Sequence, residues 1–219
     1  LTKPFFIMHV IHRGILNKKF KENCLNSFKA SFKKKYPVET DIHITKDQKF
    51  ICYHDFTLKR LFKVNKSIKN SRYEDLKKIT EKKIKIPLLT DLLKASKNKY
   101  PILIEIKPLF KKKTLMKLIN ETKKYKKCIF ISFKEKNVYN LLKIKSNLNL
   151  GLSFSNTANI GEIIKKSESN KIKYLVLDKK FINSKKIQKI KKEKFFYTIK
   201  KKQEYRKYSK SNNLIFENL

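Results

Sequence analysis

Two of the four histidines in this 219-residue chain end short apolar runs and stand beside charged residues. His12 is followed by Arg13 after the first apolar run, and His54 ends a later one. Two imidazoles held together can divide general-base and general-acid work near neutral pH, and a guanidinium can bind a phosphate through two hydrogen bonds. The alternative is a structural role. We give that interpretation, as packed core or barrel-lining residues, to His9 and His43, because they lack such neighbours.

Three carboxylates form a second candidate group. Glu39 and Asp41 are two residues apart in a predicted strand, so their side chains point to the same face. Two adjacent acids in an apolar strand are costly to bury unless something positive holds them. With Glu105 they would suit a hard divalent cation, Mg²⁺ or Ca²⁺, whereas zinc prefers nitrogen and sulfur ligands. The alternative is salt bridging to lysines; Lys107, two residues after Glu105, could also hold a phosphate.

Strand-like and helix-like stretches alternate along the chain, which predicts an α/β fold with parallel strands. The predicted strands are Phe5–Val10, Val38–Ile44, Ile102–Ile106, Cys128–Ser132, Leu150–Ser153, Tyr174–Leu177, Phe195–Ile199 and Leu214–Phe216, with Lys49–Tyr53 as an extra short strand. The predicted helices are Glu22–Lys35, Leu88–Lys97, Lys111–Tyr125, Lys136–Lys145, Ile160–Glu168, Ser184–Lys192 and Lys202–Lys210. Eight strand–helix units predict a closed (β/α)8 TIM barrel formed by one domain, residues 1–219, with an open doubly wound sheet as the alternative.

A barrel of this kind would bring the candidate residues together. The carboxyl ends of its strands face one mouth, where active sites are built. Four segments that lie far apart in the sequence would therefore deliver their polar groups to the same place. The stretch between His54 and Glu105 is short, so we expect no large inserted cap domain.

The charge of the chain is extreme, with 56 basic and 18 acidic side chains and a formal net charge of +38. One interpretation is a partner that carries phosphates, such as nucleic acid or an anionic membrane. Only four of the basic residues are arginine, although nucleic-acid-binding proteins favour its planar fork. We therefore favour compositional drift, and expect no specific nucleic-acid partner and at most weak peripheral association with anionic membrane.

Cysteine usage and hydropathy bear on the compartment. Cys24, Cys52 and Cys128 are odd in number and lack metal-ligand spacing, which is typical of buried thiols in a reducing compartment. The apolar part of residues 1–11 is too short for a signal peptide or a membrane span, and no later apolar run approaches twenty residues. We expect a cytoplasmic protein.

The order and spacing of the motifs resemble the glycerophosphodiester phosphodiesterase family. His12-Arg13-Gly14 matches its HRG, Glu22-Asn23-Cys24 resembles ENT, Glu39 to Asp47 resembles E-x-D-V-x-x-T-K-D, His54 to Arg60 resembles HD-x-T-L-x-R, Ile86 to Leu93 resembles I-P-T-L-x-E-x-L, and Leu103 to Lys107 resembles L-x-I-E-x-K. The resemblance covers nearly the whole chain and is tight up to Lys107.

The resemblance implies a TIM barrel of the PLC-like phosphodiesterase type. It implies that His12 and His54 are the acid/base pair, that Glu39, Asp41 and Glu105 hold the divalent cation, and that Arg13 and Lys107 bind the phosphate. The implied reaction is hydrolysis of a small-molecule glycerophosphodiester, such as glycerophosphocholine or glycerophosphoethanolamine, to sn-glycerol 3-phosphate and an alcohol. The cation neutralises charge on the phosphoryl oxygens in such a reaction.

Two departures from the family pattern concern the far side of the pocket. Tyr197-Thr198-Ile199-Lys200 stands where the family has W-T-V-N, and Ile215 to Leu219 stands where it has I-T-D-x-P. We expect Phe56, Phe133 and Tyr197 to be possible pocket walls. Two alternatives stay open: a lysophospholipase D-like or other lipid phosphodiesterase at a membrane surface, and a basic nucleic-acid-binding protein on an inactive barrel.

Overall fold

The computed structural model describes residues 7–81 and 84–218. Its strands are β1 (Val10–His12), β2 (Val38–Ile44), β3 (Phe50–Cys52), β4 (Ile102–Ile106), β5 (Cys128–Ser132), β6 (Leu150–Phe154), β7 (Tyr174–Asp178), β8 (Glu193–Ile199) and β9 (Asn213–Phe216). Its helices are α1 (Leu25–Lys33), α2 (Lys59–Phe62), α3 (Tyr73–Thr80), α4 (Leu89–Ser96), α5 (Lys112–Thr122), α6 (Glu135–Ile144), α7 (Ile160–Ser167), α8 (Lys185–Gln188) and α9 (Lys202–Tyr208). A 3-10 turn covers Lys179–Phe181.

The sheet closes on itself through β1. This strand pairs in parallel with β2 on one side, where Ile11 lies opposite Val38, and with β9 on the other, where Val10 lies opposite Ile215. The remaining parallel neighbours follow in the order β9, β8, β7, β6, β5, β4, β2. The described part of the chain therefore forms a closed barrel of eight parallel strands with helices between them, so the predicted TIM barrel is confirmed and the open sheet is wrong.

The short strand β3 lies outside this parallel set. It pairs antiparallel with β2, with Ile42 opposite Cys52, which agrees with its prediction as an extra strand. The hairpin turn returns the chain to the level of Asp41, where the Tyr53 N–H donates to the Asp41 carbonyl at 2.9 Å. The following residue, His54, is thereby held at the end of the barrel where β2 carries its acids.

The first strand begins later in the chain than the sequence predicts. Of the prediction Phe5–Val10, Phe5 and Phe6 lie outside the described residues, and the strand extends from Val10 to His12. The reason is pairing on both edges, since Ile11 and His12 are in register with β2 and Ile11 is also in register with β9. His12 is therefore the last residue of a strand and not a loop residue that follows one.

The segment between β3 and α4 contains two helices that the sequence patterns did not predict, α2 and α3. They pack on a small separate core that includes Ile51, Leu58, Ile68 and Leu76. Their short length and lysine content hide the apolar periodicity. The predicted helix Ser184–Lys192 is also too long, because α8 ends at Gln188.

The inside of the barrel is apolar at one end and polar at the other. Its apolar layers consist of Val10, Leu103, Ile129, Ile131, Val176, Phe195 and Ile215. Because side chains alternate along a strand, the residues two positions further on face inward as well. At β1 and β4 those residues are His12 and Glu105, so the polar layer lies at the carboxyl ends of the strands.

Two further expectations from the sequence concern the cysteines and membrane spans. Cys24, Cys52 and Cys128 are free and buried, and burial raises the pKa of both Cys52 and Cys128 to about 12. Among the described residues, no helix is both long enough and apolar enough to cross a bilayer.

Candidate active site

Strand β2 supplies the centre of the polar layer. Glu39, Asp41 and His43 occur at every second position, so all three side chains project to the same face of the strand. Glu105 on β4 lies directly opposite Asp41 in the parallel register. Each of the three acids offers a carboxylate oxygen within 4.8 Å of the other two. The structure therefore brings together the three carboxylates that the sequence singled out.

Two cations approach these acids. Arg13 Nε lies 2.9 Å from Asp41 Oδ2, and Lys107 Nζ lies 2.7 Å from Glu105 Oε1 and 3.5 Å from Asp41 Oδ1. Three carboxylates thus face two basic side chains, apart from the histidines. Glu39 Oε1 and Asp41 Oδ1 are buried and accept no hydrogen bond. The negative charge of the three carboxylates is therefore not fully balanced, and a further cation would be favoured here.

The charge states follow from this imbalance. Burial, together with the nearby Asp41 carboxylate, raises the pKa of Glu39 well above its ordinary value and that of Glu105 to about 7. Burial would also raise the pKa of Asp41, but Arg13 and Lys107 bring it down to about 2. A cation among the three oxygens would remove the repulsion that makes two of these acids hard to ionise.

Backbone geometry at the HRG segment positions Arg13. Its φ is +55° and that of Gly14 is +78°, which turns the chain sharply away from β1. The Arg13 carbonyl accepts a hydrogen bond from the Asn23 N–H at 2.8 Å, and its N–H donates to the Glu39 carbonyl at 3.0 Å. A Cβ on Gly14 would lie 2.4 Å from Ser27 Oγ at the start of α1. The glycine is needed both for its φ and for this close approach.

His12 is held by an acidic residue that lies 205 positions later in the chain. Its Nδ1 lies 2.8 Å from Glu217 Oε2, just after β9, while its Nε2 lies 3.8 Å from Glu39 Oε2. The second oxygen of Glu217 lies 2.6 Å from Lys200 Nζ. The hydrogen bond to His12 is the main cause that lowers the pKa of Glu217 to about 2.

His54 is held in a similar way by its own neighbour. Its Nδ1 lies 2.6 Å from Asp55 Oδ1, and Arg60 Nε lies 2.6 Å from the other Asp55 oxygen. Arg60 also pairs with Glu22 at 2.5 Å, and Glu22 lies 3.2 Å from Arg13. Burial is the main cause that lowers the pKa of His54. Both histidines therefore have Nδ1 beside a carboxylate and Nε2 as the nitrogen left for a ligand.

The sequence predicts a packed core or barrel-lining role for His43, and the structure shows in addition a contact with the segment that carries His54. His43 is buried, its Nε2 lies 3.1 Å from the His54 carbonyl oxygen, and its ring packs edge-on against Phe56 with 4.9 Å between ring centroids. Burial lowers its pKa to about 4, so the ring is neutral and Nε2 can donate to that carbonyl. The signal was in the sequence, because His43 follows Glu39 and Asp41 at the same spacing of two.

Other contact residues also had no role assigned from the sequence. They are Glu22, Asn23, Asp55, Arg60, Lys200 and Glu217. Asn23 illustrates the type: its Nδ2 donates to Asp41 Oδ2 at 3.0 Å, and its Oδ1 accepts from the Thr40 hydroxyl at 2.8 Å. These residues lie in or beside the motif blocks. Asp55 has its partners His54 and Arg60 in the same short segment, whereas the partners of the others lie far away in the sequence and are brought together by the fold.

A cavity of about 260 Å³ opens between the two histidines. Its lining residues are His12, Arg13, Glu39, His54, Glu105, Lys107, Ile131, Phe133, Val176, Tyr197, Thr198 and Ile215. One side is charged and the other is mainly apolar. Phe133 and Tyr197 pack edge to face at 5.9 Å on the apolar side, whereas Phe56 lies outside the cavity lining. Asp41 is fully buried behind the charged side.

A family model described as the glycerophosphoryl diester phosphodiesterase family matches residues 12–213. No curated protein sequence matches the chain.

The solved structures agree on the fold. The glycerophosphodiester phosphodiesterase of Thermotoga maritima has a TM-score of 0.79 at 24% identity, with 97% of this chain and 94% of that chain covered. An Oleispira antarctica phosphodiesterase in complex with the product sn-glycerol-3-phosphate has a TM-score of 0.82 at 18% identity, with 96% and 93% covered. A Parabacteroides distasonis glycerophosphodiester phosphodiesterase has a TM-score of 0.77 at 18% identity, with 96% and 92% covered.

The fold is a closed (β/α)8 barrel whose mouth is lined with carboxylates. The match over residues 12–213 spans most of the sequence, so the chain belongs to the glycerophosphoryl diester phosphodiesterase family. The resemblance noted in the motifs is therefore confirmed, and so is the interpretation of the chain as an enzyme of the phosphoric diester hydrolase class.

Proposed function

We propose that this chain hydrolyses small glycerophosphodiesters, such as glycerophosphocholine or glycerophosphoethanolamine, to sn-glycerol 3-phosphate and an alcohol. The observation that carries the proposal is that two histidines, two basic side chains and two carboxylates line one cavity of about 260 Å³, and that the third carboxylate of the cluster, Asp41, is buried against them. The product named for the Oleispira antarctica relative is consistent with this substrate class. Family membership supports the reaction type, and the cavity residues support its location.

The three carboxylates fit a divalent cation, Mg²⁺ or Ca²⁺. Support comes from the buried oxygens of Glu39 and Asp41 that accept no hydrogen bond and from the excess of acids over bases in the cluster. The donor set consists of oxygens, which both ions prefer. When bound, such a cation would neutralise developing charge on the phosphoryl oxygens.

Arg13 and Lys107 would bind the phosphate. Arg13 uses Nε on Asp41 and one terminal nitrogen on Glu22, so its other terminal nitrogen is left for a ligand. Lys107 has three N–H groups; its Nζ pairs with Glu105 at 2.7 Å and only approaches Asp41 Oδ1 at 3.5 Å, without a hydrogen bond. Both side chains line the cavity. Their pairing with the acids holds them in position before a substrate arrives.

His12 and His54 would move the protons. With a carboxylate on each Nδ1, the proton of a neutral ring is favoured on Nδ1 and Nε2 is left as the reactive nitrogen. One ring takes a proton from the nucleophile, which is water or the glycerol hydroxyl of the substrate. In the second case a cyclic phosphate forms, and water must then open it to give sn-glycerol 3-phosphate. The other, protonated, ring gives a proton to the leaving oxygen.

The test is hydrolysis of glycerophosphocholine by purified variants. His54→Ala should lose activity by about 100-fold or more, in the usual range for a general acid or base, with an unchanged circular dichroism spectrum. His9→Ala is the matched control, since His9 contacts Tyr205 outside the cavity. Activity of His54→Ala near that of the wild type would sink the mechanism.

The cation is tested separately with a chelator. Activity should disappear on chelation and return with Mg²⁺ or Ca²⁺, and Glu39→Gln should weaken binding of that ion in calorimetry. Full activity after exhaustive chelation would remove the cation from the proposal while leaving the reaction in place.

A second candidate, a lipid-directed phosphodiesterase, is favoured by apolar side chains around the mouth. Phe56, Leu109 and Phe133 are 55%, 51% and 43% exposed and lie in separate loops at this end of the barrel. Together with the +38 charge they would suit an anionic membrane that presents lysophospholipids.

Leu109→Ser tests that candidate. It should reduce sedimentation with anionic vesicles and slow hydrolysis of lysophosphatidylcholine, with little change for glycerophosphocholine. Met116→Ser is the matched control, because Met116 is 47% exposed on α5. Equal behaviour of the two variants on vesicles and lysolipid would exclude a membrane role for the mouth.

A further inference from the structure

Two departures from the family pattern meet in space. Lys200 follows β8 where the pattern W-T-V-N ends, and Glu217 follows β9 where I-T-D-x-P has its acid. Lys200 Nζ lies 2.6 Å from Glu217 Oε1. A lysine where the pattern has asparagine therefore stands beside a glutamate where it has aspartate, so the two replacements contact each other directly.

Glu217 is fixed at three points. Its Oε2 accepts from His12 Nδ1 at 2.8 Å, its Oε1 pairs with Lys200, and its backbone N–H donates to the Ile199 carbonyl at 3.0 Å. The Glu217 side chain is only 11% exposed, whereas Lys200 is 63% exposed. Glutamate has one more rotatable bond than aspartate, so a second contact is needed to keep its carboxylate aimed at one ring nitrogen.

We propose that Lys200 and Glu217 act as a coupled pair of positioning residues, in which Lys200 holds the Glu217 carboxylate on His12 Nδ1 and so keeps Nε2 of that ring free at the mouth. The proposal rests on the proposed function for the role of His12, but the contact itself does not. Neither residue lines the cavity, so the pair acts through His12 and not on the substrate.

The arrangement around the other histidine supports this interpretation. Asp55 contacts His54 Nδ1 and is itself held by Arg60. Each histidine thus has a carboxylate on Nδ1 and a cation on that carboxylate. For His54 all three groups lie within seven consecutive residues, whereas for His12 the carboxylate and cation come from the last two strands of the barrel.

The first experiment measures kcat and KM for glycerophosphocholine with the cation-loaded enzyme. Glu217→Gln should lower kcat by about 100-fold and Lys200→Met by about tenfold, with KM little changed, as is usual for groups that orient a reactive side chain. Lys200→Arg should keep most of the activity. The matched control is Lys179→Met, which breaks the Lys179–Glu204 pair at 2.7 Å after the neighbouring strand β7.

The double variant shows whether the two residues act as one unit. If Lys200 works through Glu217, Lys200→Met should have no further effect in the Glu217→Gln background. A full tenfold loss in that background would overturn the coupling, and so would wild-type kcat in Lys200→Met.

A spectroscopic readout separates the pair from the reaction. The ¹⁵N shifts of the His12 ring, assigned by comparison with His12→Gln, should report the Nδ1-protonated form in the wild type and a mixture of tautomers in Glu217→Gln. Unchanged shifts in Glu217→Gln would refute the positioning role. If the wild type hydrolyses no diester, the proposed function fails, and these shifts still decide the proposal about Lys200 and Glu217.

Discussion

At the scale of single residues, the site consists of acidic and basic side chains that partly neutralise one another. Two bases face three buried acids, and a carboxylate lies on the same nitrogen of each histidine. The scarce residues of the sequence carry this arrangement, including two of its four arginines, Arg13 and Arg60. Arg60 connects both halves, since it contacts Asp55 beside His54 and Glu22 beside Arg13.

Removal of Arg60 should therefore affect the reaction more than the fold. We expect Arg60→Gln to lower kcat for glycerophosphocholine by about tenfold, because Asp55 and Glu22 lose a shared partner. Arg206→Gln, at an exposed position of α9, is the control and should behave like the wild type. Equal kcat values for the two variants would show that Arg60 has no positioning role.

At the scale of elements, strand alternation explains why part of the site was visible in the sequence. Glu39, Asp41 and Glu105 follow from the spacing of two and from strand ends that meet at one mouth. Asp41 and Glu105 face each other because the parallel register of β2 and β4 places them side by side. Glu217 could not be found this way, because its contact with His12 spans 205 positions and depends on the β1–β9 register. Periodicity carries no information about such pairings.

Short elements were missed for a different reason. Helix α3 is not part of the strand–helix alternation that forms the barrel, and its first N–H group is bonded by a side chain from a loop. Asp47 Oδ1 accepts from the Tyr73 N–H at 2.9 Å and from the Thr45 hydroxyl at 2.7 Å. Asp47 thus satisfies an N–H at the start of the helix, as a capping residue would. The T-K-D block therefore has a structural function that resemblance alone did not explain.

Asp47→Ala should lower the free energy of unfolding by about 1 kcal/mol, as is typical for loss of a cap. Burial would raise the pKa of Asp47, but the hydrogen bonds from Thr45 and Tyr73 hold it below the ordinary value. The stabilisation is therefore present above the unfolded-state pKa of about 4 and is lost as the pH falls through the lower folded-state pKa. Urea titrations at neutral and acid pH measure this difference. Lys46→Ala is the control, and a loss independent of pH would contradict the charge contribution.

Gly14→Ala should be more damaging than its size suggests. The new Cβ would meet Ser27 Oγ at 2.4 Å at a φ of +78°, so we expect a loss of about 1–3 kcal/mol in the free energy of unfolding. Gly161→Ala is the matched control, since its Cβ would meet only Asn159 Oδ1 at 3.1 Å within α7, where alanine favours the helix by up to about 1 kcal/mol. Thermal unfolding curves that rank the two variants the other way would contradict the strain at Gly14.

At the scale of the whole molecule, the charge excess and the site are separate matters. With 56 basic and 18 acidic side chains, most bases have no acid with which to pair one to one. Pairs such as Lys117–Glu121 on α5 are only partly buried, with side chains 39% and 24% exposed, and such pairs contribute little each. Apart from Lys107 and Lys200, the lysines play no part in the account of the barrel and its mouth, which agrees with drift as the origin of the charge excess.

Repulsion among so many positive side chains should make the thermal stability of the protein depend on the salt concentration. We expect the midpoint of thermal unfolding to rise by several degrees between about 50 mM and about 500 mM NaCl, because screening lengths fall to a few ångströms. A neutral solute at matched osmolality serves as the control. A midpoint that stays constant over this range would contradict the prediction.

The meeting of β1 and β9 also has a consequence for biosynthesis. On a ribosome, the two histidines, the acids of β2 and β4, and Arg13 and Lys107 emerge long before residues 213–218, which close the barrel and hold His12. Until then β1 and β8 each have an unpaired edge, and such edges can pair with other nascent chains. The protein therefore gains its closed barrel and the support of His12 together, once β9 has paired with β1 and β8.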